Sequence, residues 1–124
     1  MFNFEKTRWV YLIIITLLHV IPLGNDLNLA VNNSYLFDGL RLDHMLHGMI
    51  FIPAYFLIQG KSKTSFTKTF IFLSITLTFA ALCEMLQIVL PYRAFTIPDL
   101  TANLLGAFIG FSFVQIMQFF VFKK

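Results

Sequence analysis

Cys83-Glu84-Met85-Leu86-Gln87-Ile88-Val89-Leu90-Pro91-Tyr92-Arg93-Ala94-Phe95-Thr96-Ile97-Pro98-Asp99-Leu100-Thr101-Ala102-Asn103 sets two carboxylates, an arginine and two amides into surroundings that are otherwise apolar. Glu84 lies roughly two turns inside the apolar run 69–90, which is long enough to cross a bilayer. A carboxylate at that depth loses hydration that lipid cannot replace, so it needs a partner, a proton or a water-filled cavity. Glu84 therefore marks the centre of a site, and the runs on either side of it read as transmembrane helices.

Composition agrees. The 124 residues are 58% apolar and only 12% charged, with a mean hydropathy of +0.79, which excludes an ordinary soluble domain. The length suits a single domain, 1–124. The net charge of +3 is distributed by position. Lys6, Arg8, Lys61, Lys63, Lys68, Lys123 and Lys124 flank the apolar runs rather than form a patch for nucleic acid, so membrane lipids are the expected surroundings and no nucleic-acid partner is expected. The single cysteine, Cys83, sits within an apolar run, cannot form an internal disulfide and reads as a small packing residue.

The apolar runs predict an all-α membrane protein, a bundle of four transmembrane helices at about 9–23, 43–59, 69–90 and 98–122. The first resembles a signal peptide but is followed by no small-x-small cleavage site, so it is kept as a helix, with Trp9 and Tyr11 at the interface. The mixed segment 24–42 reads as an external loop in which residues 35–42 could form a short interfacial helix. Pro53 should kink the second span. Four spans put the seven basic residues above on one side, which the positive-inside rule makes cytoplasmic together with both termini. Arg41, Arg93, Asp26, Asp38, Asp43, Glu84 and Asp99 then fall toward the outer side.

Three polar clusters reach the same depth: Asp43, His44 and His47 opening the second span, Glu84 and Gln87 closing the third, Asp99 and Asn103 opening the fourth. Asp43 with His47, Glu84 with Gln87, and Asp99 with Asn103 are three or four residues apart and so share a helix face. One outward-opening polar pocket accommodates all six. Glu84 and His47 can pass a proton between them, and Asp43 and Asp99 can orient that pair; these four are the candidate catalytic residues. Arg93 between Tyr92 and Phe95 suits an anionic headgroup or phosphate, with Gln87, Asn103 and His44 as further binding groups.

Each has a structural alternative. Thr96-Ile97-Pro98-Asp99 has the form of a helix cap, Asp43 could charge a helix N-terminus, and Arg93 could pair with Asp99. Gln87 and Asn103 could join helices, and His44 could face headgroups. Two histidines three residues apart and carboxylates on other helices could hold a divalent ion, but there is no HExxH and no cysteine pair, so no metal site is assigned and the cofactor stays open. Ala102, Gly106 and Gly110 recur every fourth residue, a stripe that lets two membrane helices approach closely, within the chain or between chains.

The pattern Glu84-x-x-Gln87-x-x-x-Pro91-x-Arg93-x-Phe95-x-x-x-Asp99-x-x-x-Asn103-x-x-Gly106-x-x-x-Gly110, with Asp43-x-x-x-His47 before it, resembles the VanZ-like family, named for a membrane protein associated with teicoplanin resistance. His44 stands where that family is expected to carry lysine. The resemblance implies a function at the outer face of the bacterial cytoplasmic (inner) membrane, acting on a lipid-linked or peptidoglycan-related cell-envelope molecule and affecting glycopeptide (antibiotic) susceptibility. The resemblance implies no settled activity, and whether the protein is an enzyme stays open. The competing expectation is a non-enzymatic membrane subunit or chaperone packed beside a larger membrane protein through the glycine stripe.

Overall fold

The computed structural model describes residues 4–21, 35–37, 40–60 and 65–121. Among these are four helices, α1 (Phe4–Val20), α2 (Leu42–Gln59), α3 (Phe66–Val89) and α4 (Ile97–Val121), and a two-stranded antiparallel ribbon of β1 (Tyr35–Phe37) and β2 (Leu40–Arg41). The ribbon replaces the interfacial helix expected over residues 35–42: Tyr35 pairs with Arg41 and Phe37 with Leu40, and only Leu42 joins a helix, as the first residue of α2. Tyr35 and Phe37, at the two paired positions of β1, are aromatic residues that favour strands. The rest of the expected external loop, residues 24–34 with Asp38 and Gly39, the basic residues Lys61 and Lys63, and the C-terminal Lys123 and Lys124 lie outside the described residues.

Helix ends follow local chemistry. α2 stops at Gly60, whose φ of 79° favours glycine and whose amide donates to the Phe56 carbonyl at 3.0 Å. α3 stops one residue before Leu90-Pro91, because the residue preceding proline is driven out of the helical region. The chain then turns within four residues, Arg93 N–H donating to Leu90 O at 3.2 Å. α4 begins directly after Thr96, whose hydroxyl accepts from the Asp99 amide at 3.2 Å and whose carbonyl accepts from the Leu100 amide at 3.1 Å. That is an N-cap. Pro53 is accommodated inside α2 on its exposed side.

α2 and α4 form the most intimate pair, and α1 packs against α2 and α3. The reason is the absence of side chains. A Cβ on Gly106 would come within 2.8 Å of the Gly48 carbonyl carbon, one on Gly110 within 3.0 Å of the Ile52 carbonyl carbon, and one on Gly48 within 3.3 Å of the Ala102 oxygen. The stripe of Ala102, Gly106 and Gly110 thus lies against the backbone of α2 in the same chain. Beside it, Ile15, Phe51, Ala54, Ala80, Cys83 and Ala107 make the apolar interior, and Tyr55, Leu73 and Val114 continue it toward the far end, where Gln115 donates to the Tyr55 hydroxyl at 3.3 Å.

The distribution of polarity is inverted relative to a water-soluble bundle. His19, Gln59, Thr69, Thr76, Glu84, Gln87, Asp99 and Asn103 are buried, whereas Trp9, Ile13, Phe66, Ile71, Phe108, Phe113, Phe119 and Phe120 face outward. A chain solvated by lipid has this pattern, since outward apolar side chains cost nothing there and interior polar groups satisfy one another. Two of the described helices, α3 and α4, are long and apolar enough to cross a membrane. α1 has 17 residues, about 26 Å at the helical rise, and α2 carries Asp43, His44, His47 and Gln59.

Candidate functional site

The C-terminal ends of α1 and α3 and the N-terminal ends of α2 and α4 meet at one end of the bundle, and each contributes polar side chains. Asn103, fully buried on α4, is the point where they join. Its Nδ2 donates to Glu84 Oε2 at 3.2 Å and approaches His19 Nε2 at 3.5 Å, while its Oδ1 lies 3.2 Å from His47 Nδ1. His19 Nδ1 lies 2.8 Å from the Ile15 carbonyl, one turn back on α1. A carbonyl only accepts, so His19 carries its proton on Nδ1 and turns the Nε2 lone pair toward Asn103. His47 Nε2 lies 3.5 Å from Asp43 Oδ1, and His47 Nδ1 is also 3.9 Å from Glu84 Oε2. The His47 ring is thus held between two carboxylates from different helices.

Around this cluster the remaining candidates take distinct places. Asp99 Oδ2 accepts from the Thr96 hydroxyl at 2.5 Å, so Asp99 takes part in capping α4; its Oδ1 faces His44 Nε2 at 3.6 Å. The same residue therefore serves the helix terminus and lines the site. His44 is directed to a carboxylate rather than to headgroups. Arg93 does not pair with Asp99: its guanidinium donates to the Leu18 and Ile21 carbonyls at 3.2 and 3.0 Å, closing the end of α1. A cation suits that position because the last carbonyls of a helix lack intrahelical donors. Gln87 is buried near the end of α3 with its Nε2 unpartnered, and Glu84 Oε1 likewise has no hydrogen bond of normal geometry. The Thr96 amide faces the Glu84 carboxylate more loosely.

A cavity of about 340 Å³ lies at this end. Asp43, His47, Gln87, Arg93, Thr96 and Asp99 line it together with Arg41, Tyr92 and Ala94. Arg41 also lies 3.8 Å from Asp43. Behind this lining, Glu84, Asn103 and His19 form a deeper layer, joined to it through His47. Two sets of three side chains bring potential metal-ligand atoms within 4.8 Å of one another: His19, His47 and Glu84, and Asp43, His47 and Asp99.

The profile of the VanZ/LLP1 family matches residues 3–118. The chain belongs to the VanZ/LLP1 family. No curated protein and no solved structure matches it significantly. The matched residues include the block Glu84 to Gly110, and with two membrane-length helices the family is compatible with a membrane protein.

His19 and Arg41 join the site without having been singled out in the sequence. His19 carries a readable signal, since it is an ionisable side chain in an apolar run three residues before Pro22. Arg41 carries none; it borders the cavity because the β-ribbon ends there.

Proposed function

We propose that this VanZ/LLP1 protein is a multi-pass protein of the bacterial cytoplasmic membrane, with four spanning helices and both termini cytoplasmic, and that its polar cavity opens outward to bind an anionic cell-envelope molecule, lipid-linked or peptidoglycan-related. The carrying observation is the convergence of Asp43, His47, Gln87 and Asp99 from three helices on a cavity edged by Arg41 and Arg93. Two guanidiniums at the rim suit a phosphate group, because each keeps its charge, and Arg93 has N–H donors beyond the one nitrogen that closes α1. Glu84 and His47 lie 3.9 Å apart beneath that rim, placed to pass a proton, with Asp43 orienting His47 and Asn103 linking the pair, while Asp99 borders the same cavity beside His44. Lys6, Arg8 and Lys68 at the opposite helix ends support the orientation.

The test is retention of a polyprenyl phosphate by the purified protein, compared with the uncharged polyprenol of the same chain length, read by native mass spectrometry. The phosphate should be retained by the wild type and lost from Arg41→Gln and Arg93→Gln. Equal retention of the alcohol and the phosphate would sink the reading. In cells, the expected consequence is a change in teicoplanin susceptibility on deletion that Glu84→Gln fails to restore. A non-enzymatic subunit docked through Ala102, Gly106 and Gly110 has less support, because α2 already lies on that face.

A further inference from the structure

The deep layer of the site has the composition of a metal centre. His19, His47 and Glu84 come from three different helices, and each offers one ligand atom within 4.8 Å of the other two. Ligands around a tetrahedral zinc ion at bond lengths of about 2.0–2.2 Å stand roughly 3.3–3.5 Å apart, so shifts of an ångström or so bring the three onto one ion. The measured His47 Nδ1 to Glu84 Oε2 separation is 3.9 Å.

Orientation is the stronger argument. A metal-binding histidine turns one nitrogen to the ion and holds the other ring N–H on an acceptor. His19 is arranged that way. His19 holds Nδ1 against the Ile15 carbonyl at 2.8 Å and presents Nε2. His47 also has an outer acceptor, Nε2 lying 3.5 Å from Asp43 Oδ1, and its Nδ1 faces Asn103 Oδ1 at 3.2 Å, a contact that a bound ion would replace. The two rings stand 5.0 Å apart at 81°, so they converge without stacking. Glu84 is fully buried, and its Oε1 has no hydrogen-bond partner of normal geometry, a cost that a bound cation offsets.

We infer that His19, His47 and Glu84 form a binding site for one divalent transition-metal ion of the zinc class. Two imidazoles and one carboxylate are borderline donors that suit zinc and its neighbours rather than magnesium or calcium, which take oxygen. On binding, the ion takes the place of Asn103 Oδ1 at His47 Nδ1, and Asp43 keeps its place as the outer partner. The second set, Asp43, His47 and Asp99, is the poorer candidate, because Asp43 is engaged by Arg41 and Asp99 by Thr96 and His44. Since His47 also borders the cavity, the ion would lie beneath the rim that meets the anionic group. The site itself does not rest on that reading, and metal uptake is measured with no envelope molecule present.

The experiment uses the full chain in detergent, stripped with a chelator, reloaded with zinc and dialysed, with metal per chain determined by mass spectrometry and affinity by competition with a chromogenic chelator. One ion per wild-type chain is expected. Asp43→Asn should weaken binding by about 10–100-fold, and His19→Gln and Glu84→Gln by at least as much, while His44→Gln, at the histidine outside the ligand set, binds as the wild type does. Cobalt substituted into the wild type should give the intense visible bands of a four-coordinate site, a reading that needs no variant to fold. Failure of the wild type to hold stoichiometric metal, a weak octahedral cobalt spectrum, or unchanged affinity in His19→Gln and Glu84→Gln would each overturn the inference. So would an equal loss in His44→Gln. Loss of polyprenyl phosphate binding with metal retained would instead count against the proposed function alone.

Discussion

Asn103 shows how much of this molecule rests on single side chains. Its amide reaches Glu84, His19 and His47 at once, so replacing it by leucine leaves two buried polar groups and the partly buried His47 without that partner. An unmade bond to a buried group costs about 1–3 kcal/mol, so Asn103→Leu should destabilise the fold by roughly 2–4 kcal/mol, measured by denaturant unfolding in micelles. Combined with Glu84→Gln the effects should fall short of additive by about 0.5–3 kcal/mol, because one bond is shared; strict additivity would mean that the Asn103–Glu84 contact carries no energy. Arg93 invites a different measurement. Its bonds to Leu18 and Ile21 close α1, so Arg93→Gln should speed hydrogen exchange in the last turn of α1 and lower stability by about 1 kcal/mol, whatever it does to ligand binding. Undisturbed exchange there would show that the guanidinium is held for the ligand alone.

At the scale of elements, the pairing of α2 with α4 positions His47 against Asn103, and the glycines make that pairing possible. Gly106→Leu should push the two backbones apart and cost about 1–3 kcal/mol or more, with Gly110→Leu acting similarly and the outward Phe113→Leu near neutral. If the stripe served another protein instead, Gly106→Leu would leave the monomer's unfolding unchanged. The start of α4 depends on Thr96, and Thr96→Ala should cost about 1 kcal/mol through the lost cap while freeing the Asp99 carboxylate that the hydroxyl now holds. This element was open to reading in advance because capping is local chemistry: Thr96 and Asp99 are three residues apart. The β-ribbon at Tyr35 to Arg41 was not, since a run of seven residues is too short for periodicity to separate helix from strand.

For the whole molecule, what could be read from the chain divides by the range of the interaction that decides it. The four helices, their approximate limits and the polar faces of α2, α3 and α4 follow from hydropathy and from spacings of three or four residues. The joining of His19 to Glu84 across 65 positions of sequence, and the use of Arg93 on α1 rather than on Asp99, depend on how helices pack, and no local pattern encodes them. Orientation in the membrane depends on neither packing nor local pattern but on flanking charge, and it can be tested directly. Cys83 is buried between helices, so Cys83→Ala gives a cysteine-free background at the risk of only a small cavity. Into it go Lys68→Cys, at the exposed start of α3, and Tyr92→Cys, at the exposed turn between α3 and α4. α3 spans 24 residues, about 36 Å of helix, so the two positions lie on opposite sides of any bilayer it crosses. A membrane-impermeant maleimide added to intact cells or spheroplasts should label Tyr92→Cys within minutes and leave Lys68→Cys unlabelled until the membrane is permeabilised. The opposite result would place the cavity, and Arg41 and Arg93 with it, in the cytoplasm, where a phosphate-bearing envelope molecule at the outer face could not reach it.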